Sequence, residues 1–173
     1  MCQITFNLDC KLGSFGLKHQ GLLRLLLWLA VASAVIFIGG LSSLQNECAD
    51  DGLFAGHTDG LDGVNGFSAQ VLTCKKIFRF YWFIVVFEFV IAALGIYAVS
   101  WSGKLASFKS SLLGLFVIGT LLFIYTTDAF LGLIEVPRFQ SETLRDRSKT
   151  AVAGAIVTAT LNAVIVFVTG YEA

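Results

Sequence analysis

Four long apolar segments constrain this chain more than any other feature of its 173 residues. A helix needs about 20 mostly apolar residues to cross a bilayer. The segments at about 21–44, 77–101, 111–134 and 150–170 meet that length, and none alternates as the strands of a membrane barrel do. The sequence therefore predicts four membrane-spanning helices.

The composition supports the same prediction. Hydrophobic residues make up 56% of the chain and charged residues 14%, and the mean hydropathy is +0.79. A soluble domain of this length has too little interior to bury that much apolar surface. The 12 Lys and Arg residues are balanced by 12 Asp and Glu residues, so no basic field predicts a nucleic-acid partner. The expected partner is the lipid bilayer.

The connections between the segments indicate how the helices are arranged. Two short connections favour an all-α, up-down four-helix bundle in a single domain over residues 1–173. The first connection, at about 45–76, is the only long one. The charge-free run of the first segment is longer than the core of a signal peptide, so we expect a retained helix rather than a cleaved leader.

The cysteines suggest an orientation for the bundle. Cys48 and Cys74 bracket the long loop, and a disulfide between them would tie the ends of the first two spans; two free thiols are the alternative. This pair favours an exoplasmic loop with cytosolic termini, in the plasma membrane or an endomembrane-derived one, although the Lys and Arg distribution favours the reverse. Cys2 and Cys10 precede the first span and are candidates for acylation, with an inert tail as the alternative.

The long loop also carries a candidate calcium site. Asp59, Asp62 and Asn65 recur every three residues among glycines and offer oxygen ligands. Their spacing is not that of an EF-hand, so a solvated, turn-rich loop is favoured. His19 and His57 are too far apart for a histidine metal site, and we expect no cofactor.

Polar residues inside the spans are candidates for a functional site. Glu88, Asp128 and Asn162 lie in spans two, three and four, and Arg24 lies at the mouth of span one. Ionisable residues in lipid are a functional hypothesis by default. A structural role is favoured over transport, because transport sites usually gather more convergent polar groups. A polar group on a partner subunit that complements these residues is the third interpretation.

Small residues predict close helix contacts in span four. Four alanines recur there at every fourth position, which places them on one face of a helix. These helix-packing candidates are Ala151, Ala155, Ala159 and Ala163. The helix that they contact belongs either to the same chain or to another protomer.

The architecture resembles the MARVEL group of tetraspan membrane proteins, with four spans, a longer first exoplasmic loop and an acid late in span three. Arg24 and Asp128 match, in residue type and span, the Arg and Asp pair of the Casparian-strip membrane proteins in that group. The resemblance implies a non-enzymatic scaffold that self-associates to organise a membrane domain.

Three functions follow from these patterns. The leading hypothesis is a laterally self-associating scaffold that forms a homo-oligomer. The first alternative is a small accessory subunit of a larger membrane complex, and the second is an ion or proton channel or carrier that uses Glu88 and Asp128. We expect no enzyme and no catalytic residue, because two separated histidines build no Ser-His-Asp triad and no phosphate-cradling motif is present.

Overall fold

The computed structural model describes residues 19–50, 78–101, 104–135 and 142–171. They form four helices, α1 (His19–Asp50), α2 (Arg79–Ser100), α3 (Lys104–Glu135) and α4 (Glu142–Tyr171), and no strand occurs within these ranges. Each helix contains a stretch long and apolar enough to cross a membrane: Gln20–Asn46, Arg79–Ser100, Phe108–Glu135 and Arg145–Tyr171. The prediction of a helical membrane bundle is confirmed.

The helices extend beyond the apolar segments because the chain offers few signals to end them. No Gly or Pro interrupts residues 41–51, so α1 continues through polar residues to Asp50. Several predicted features lie outside the described part of the chain, namely the side chain of Cys48, all of Cys74, the calcium candidates Asp59, Asp62 and Asn65, and the acylation candidates Cys2 and Cys10.

The four helices form a closed ring. Each helix packs against the next one in chain order, and α4 returns to pack against α1. The contacts of α4 with α1 and with α3 are the most extensive, whereas those of α2 with α1 and with α3 are much smaller. Two hydrogen bonds join α1 to α2 near the ends of α2, from Trp82 Nε1 to Gln45 Oε1 (2.6 Å) and from Arg24 Nη2 to the Val99 carbonyl (3.2 Å).

Glycines bring the backbones of α1 and α4 together. A Cβ built on Gly40 would lie 2.6 Å from the backbone nitrogen of Ala151, and one on Gly154 would lie 2.6 Å from that of Phe37. Residue numbers rise along α4 as they fall along α1, so the two helices are antiparallel. Such close approach replaces the hydrophobic drive that helices in lipid lack.

The alanine stripe of α4 divides between two surroundings. Ala151 and Ala155 are fully buried within the chain, and Ala159 is nearly so. Ala163, in contrast, is exposed on the side of the bundle. Packing within the chain therefore accounts for Ala151 and Ala155. Ala159 and Ala163 line a groove between α4 and α3 at the surface of the bundle.

Two apolar clusters fill the bundle. The Phe130 cluster, toward the end where α1 finishes and α2 begins, is built around Phe37, Phe78, Tyr81, Phe123 and Phe130. The Phe116 cluster, toward the opposite end, is built around Leu23, Leu27, Ile91, Leu112, Phe116 and Ile165. The outer surface is apolar as well, as the exposed fractions of Trp28 (60%) and Phe167 (72%) show.

Candidate functional site

Glu88 lies inside the bundle because it falls on the buried face of α2. That face recurs at helical spacing through Tyr81, Ile84, Glu88, Ile91 and Gly95. The exposed fraction of Glu88 is 1%. A carboxyl group is thus held near the middle of the second span, at the boundary between the two apolar clusters.

The partner of Glu88 comes from the opposite helix of the ring. Asn162 of α4 is fully buried, and its Nδ2 donates a hydrogen bond of 2.9 Å to Glu88 Oε2. Gly119 of α3 lies beside the pair, because a Cβ built there would be 3.3 Å from both bonded atoms. The glycine leaves the space in which side chains from α2 and α4 meet.

Two oxygen atoms of this pair have no partner. Glu88 Oε1 and Asn162 Oδ1 are buried, and neither accepts a hydrogen bond from any residue in the described part of the chain. Buried polar atoms are nearly always hydrogen-bonded, so these two oxygens make the pair a candidate site for a bound group. A buried carboxylate without a counter-charge must be neutralised by a proton or by a cation. The Glu88 carboxylate can take up a proton, and both free oxygens are suited to a cation as ligands.

Two hydroxyl groups extend the polar region from α4 to α1. The hydroxyls of Ser33 and Thr158 are both buried and share a hydrogen bond of 2.8 Å. Thr158 precedes Asn162 by about one helical turn. Together Ser33, Glu88, Thr158 and Asn162 form a polar layer, with the Phe130 cluster on one side and the Phe116 cluster on the other. The buried carboxyl and amide therefore lie at the middle of the interior, and most of the interior toward both ends is apolar.

Asp128 does not belong to the polar layer. It is exposed on the side of the bundle, in a groove between α3 and α4 with a volume of about 530 Å³. Asn162 bonds Glu88 and not Asp128. Thr127, which precedes Asp128 in the chain, donates its hydroxyl hydrogen to the Phe123 carbonyl of its own helix. The structure therefore does not bring the two intramembrane acids into one site.

Arg24 is also separate from Asp128. Arg24 is an exposed residue, and its guanidinium donates a hydrogen bond to the Val99 carbonyl. That carbonyl lies in the last turn of α2 and has no partner within its own helix. The Arg and Asp pair that the resemblance implied is not formed within this chain. Arg24 instead fastens one end of α2 to α1.

Several residues of the interior were missed by the sequence reasoning. Ser33 and Thr158 complete the polar layer, and Gly119 makes room for it. The spacing of Thr158 and Asn162 on one face of span four is a usable signal for Thr158. Ser33 lies in span one, so that spacing gives no signal for it. For Gly119 no signal exists, because the sequence does not reveal which glycine faces a distant carboxyl.

No family model matches the chain, and no curated protein sequence matches it. Among solved structures, the crystal structure of the LCI1 channel of Chlamydomonas reinhardtii is similar, with a TM-score of 0.71. The likeness covers 88% of this chain and 98% of that chain, at 18% sequence identity. At that identity it shows a shared fold, and this chain is an integral, multi-pass membrane protein. The orientation of its termini and the type of membrane stay predictions.

The prediction of a self-associating scaffold is wrong. The finding that overturns it is the likeness to a channel, which favours the second alternative, a channel or carrier. The scaffold hypothesis rested on counting too few polar groups for transport. That count included Asp128, which lies outside the interior, and left out the hydroxyls of Ser33 and Thr158.

Proposed function

We propose that this chain forms a membrane channel whose pathway runs through the interior of its own bundle, past Glu88 and Asn162. The observation that carries the proposal is the buried pair with its two unpartnered oxygens, held between apolar clusters near the middle of the spans. Polar groups placed this way inside a membrane are typical of conduction and proton-relay sites. The fold shared with a channel supports the same function.

The permeating species that best fits the site is the proton. Glu88 is the only buried carboxyl among the described residues, and a carboxyl group can take up and release a proton. The Phe130 and Phe116 clusters make most of the interior apolar toward either end, where the buried polar side chains include the hydroxyls of Thr126, Ser148 and Thr169. Constrictions that are mostly apolar exclude hydrated ions. A proton needs only short-lived water contact on each side of Glu88 to cross.

A small uncharged solute is the second candidate. The observation that favours it is the largely apolar lining on both sides of the polar layer, which a solute without charge passes at a lower desolvation cost than an ion does. Glu88 and Asn162 would then offer a hydrogen-bonding position midway rather than a proton carrier. The two candidates differ in whether transport depends on an ionisable group at position 88.

Flux measurements in liposomes test the proposal. The purified protein is reconstituted with a pH-sensitive dye inside, and a potassium gradient with valinomycin drives proton entry. We expect wild-type protein to conduct protons and Glu88→Gln to reduce the rate at least about tenfold, because the amide cannot exchange a proton. Asp128→Asn is the matched control, since it removes a carboxyl at membrane depth outside the interior, and its rate should equal that of the wild type.

The controls separate the possible results. Equal proton flux in wild-type and Glu88→Gln liposomes contradicts the proton pathway, as does equal loss in both variants. Glycerol uptake, followed by light scattering in the same liposomes, tests the second candidate. Uptake that exceeds that of empty liposomes and persists in Glu88→Gln supports an uncharged solute.

A further inference from the structure

The groove between α3 and α4 combines an acid with an apolar wall at membrane depth. Asp128 and Thr127 of α3 and Thr160 of α4 supply its polar groups, and Ile124, Leu131 and Ile156 supply much of its apolar wall. Both helices belong to membrane spans, so the groove opens toward lipid. Within the described part of the chain, no hydrogen bond or ion pair involves the Asp128 carboxyl, and none of the lining residues is basic.

The polar groups of the groove can accept hydrogen bonds, but they have no free hydrogen to donate. Thr120, which also lines the groove, donates its hydroxyl hydrogen to the Phe116 carbonyl at 2.7 Å. Thr127 and Thr160 donate in the same way to the carbonyls of Phe123 (2.9 Å) and Ile156 (2.8 Å). An ionised Asp128 is likewise only an acceptor. A complementary ligand must therefore bring hydrogen-bond donors, and a positive charge matches the carboxylate best.

The size of the groove selects the kind of ligand. Its volume of about 530 Å³ lies within the range of small-molecule sites. Along α3 it runs from Thr120 to Leu131, or about 16 Å at the rise of an α-helix. A partner helix that packed along the whole span would contact α3 and α4 over the full hydrocarbon thickness of about 30 Å. A small molecule dissolved in the membrane fits this length better.

We propose that the groove binds a membrane-dissolved amphiphile that carries a primary ammonium group. The ammonium donates to the Asp128 carboxylate and to the threonine oxygens, and the hydrocarbon part lies along Ile124, Leu131 and Ile156. Binding supplies a counter-charge to the Asp128 carboxylate, and it buries apolar surface at the same time. This site is separate from the polar layer and does not depend on the proposed channel function.

A pair of probes tests this proposal. The wild-type protein in liposomes is titrated with a spin-labelled long-chain primary amine, and the immobilised fraction of the label is measured by electron paramagnetic resonance. The neutral probe is the same labelled chain ending in an alcohol. We expect saturable binding of the amine and an affinity at least about tenfold above that of the alcohol, because only the amine pairs with the carboxylate.

Two variants locate the binding. Asp128→Asn should reduce the affinity for the amine about tenfold and leave that for the alcohol unchanged. Glu88→Gln, the matched intramembrane substitution outside the groove, should bind the amine as the wild type does. Its loss of proton flux tests the channel function separately, so either proposal can fail without the other.

Other outcomes overturn the proposal. Equal affinities for amine and alcohol in the wild type mean that the groove does not recognise the charge. Unchanged amine binding in Asp128→Asn means that the label reports ordinary lipid contact. A change of oligomeric state in Asp128→Asn, measured by light scattering in detergent, means that a second copy of the chain occupies the groove.

Discussion

The α1–α4 side of the bundle and the α2 side are built in opposite ways. On the first side, the glycine contacts involve backbone atoms, since added Cβ atoms at Gly40 and Gly154 would meet the backbones of Ala151 and Phe37. On the second side, a Cβ added at Gly95 would meet only the ends of side chains, Leu27 Cδ2 at 2.8 Å and Phe116 Cζ at 3.4 Å. Backbones fill one interface and side-chain ends fill the other.

This difference indicates where a pathway can open. Separating α1 from α4 requires two helices to move apart, whereas space beside α2 can appear when side chains change rotamer. A change of rotamer is far faster than a movement of helices. Glu88 belongs to α2, and hydrogen bonds join that helix to α1 near both of its ends. We infer that the pathway past Glu88 opens on the α2 side while the α1–α4 interface stays fixed.

The largest expected effect comes from breaking the α1–α4 side. Gly40→Ala places a methyl group 2.6 Å from a backbone nitrogen that cannot rotate away, so the two helices must separate. Overpacking of this kind lowers the free energy of unfolding by about 3 kcal/mol. The change is measured by unfolding of the purified protein in mixed detergent and SDS micelles.

The adjacent glycine provides the control for that experiment. Gly39→Ala gains the same helix propensity of about 1 kcal/mol, yet nothing lies within 4 Å of the added Cβ. Gly39→Ala should therefore be at least as stable as the wild type. Two variants that unfold alike would show that the α1–α4 contact is not as tight as described.

A smaller effect is expected from the polar pair on the α2 side. Asn162→Leu removes the donor to Glu88 Oε2 and leaves a buried carboxyl without any partner, which lowers the free energy of unfolding by about 2 kcal/mol. The double variant Glu88→Leu with Asn162→Leu removes both groups and should recover most of that loss. The same detergent unfolding experiment measures both variants. A double variant less stable than Asn162→Leu alone would contradict the pairing.

Hydropathy is enough to predict the four helices but not which face of each helix is inside. In lipid the outer surface is as apolar as the core, so Trp28 is largely exposed while Phe123 is fully buried. For the same reason Glu88 and Asp128 look alike in the sequence. Their different positions follow from the rotation of α2 and α3 about their axes, which only packing against the other helices determines.

The close helix contacts show the same limit. The alanine stripe marks span four as a packing surface, but the tightest contacts also need Gly40 and Gly154, which lie more than 100 residues apart in the chain. Nothing in the local sequence distinguishes Gly40 from Gly39. Pairings between distant segments decide which glycine is essential, so the α1–α4 contact and the Glu88–Asn162 pair could not be predicted from spacing alone.

The smallest effect on stability is expected from Gly95→Ala, which directly tests the contrast between the two sides. The added methyl group meets the flexible end of Leu27, and a change of rotamer there relieves the contact. The gain in helix propensity offsets the adjustment, so the free energy of unfolding should change by less than about 1 kcal/mol. The same methyl group narrows the interior beside α2, so proton flux in liposomes should fall by a small factor, on the order of two- to threefold. A loss of stability as large as that of Gly40→Ala would mean that backbones are close on both sides, and unchanged flux would mean that the pathway does not pass along α2.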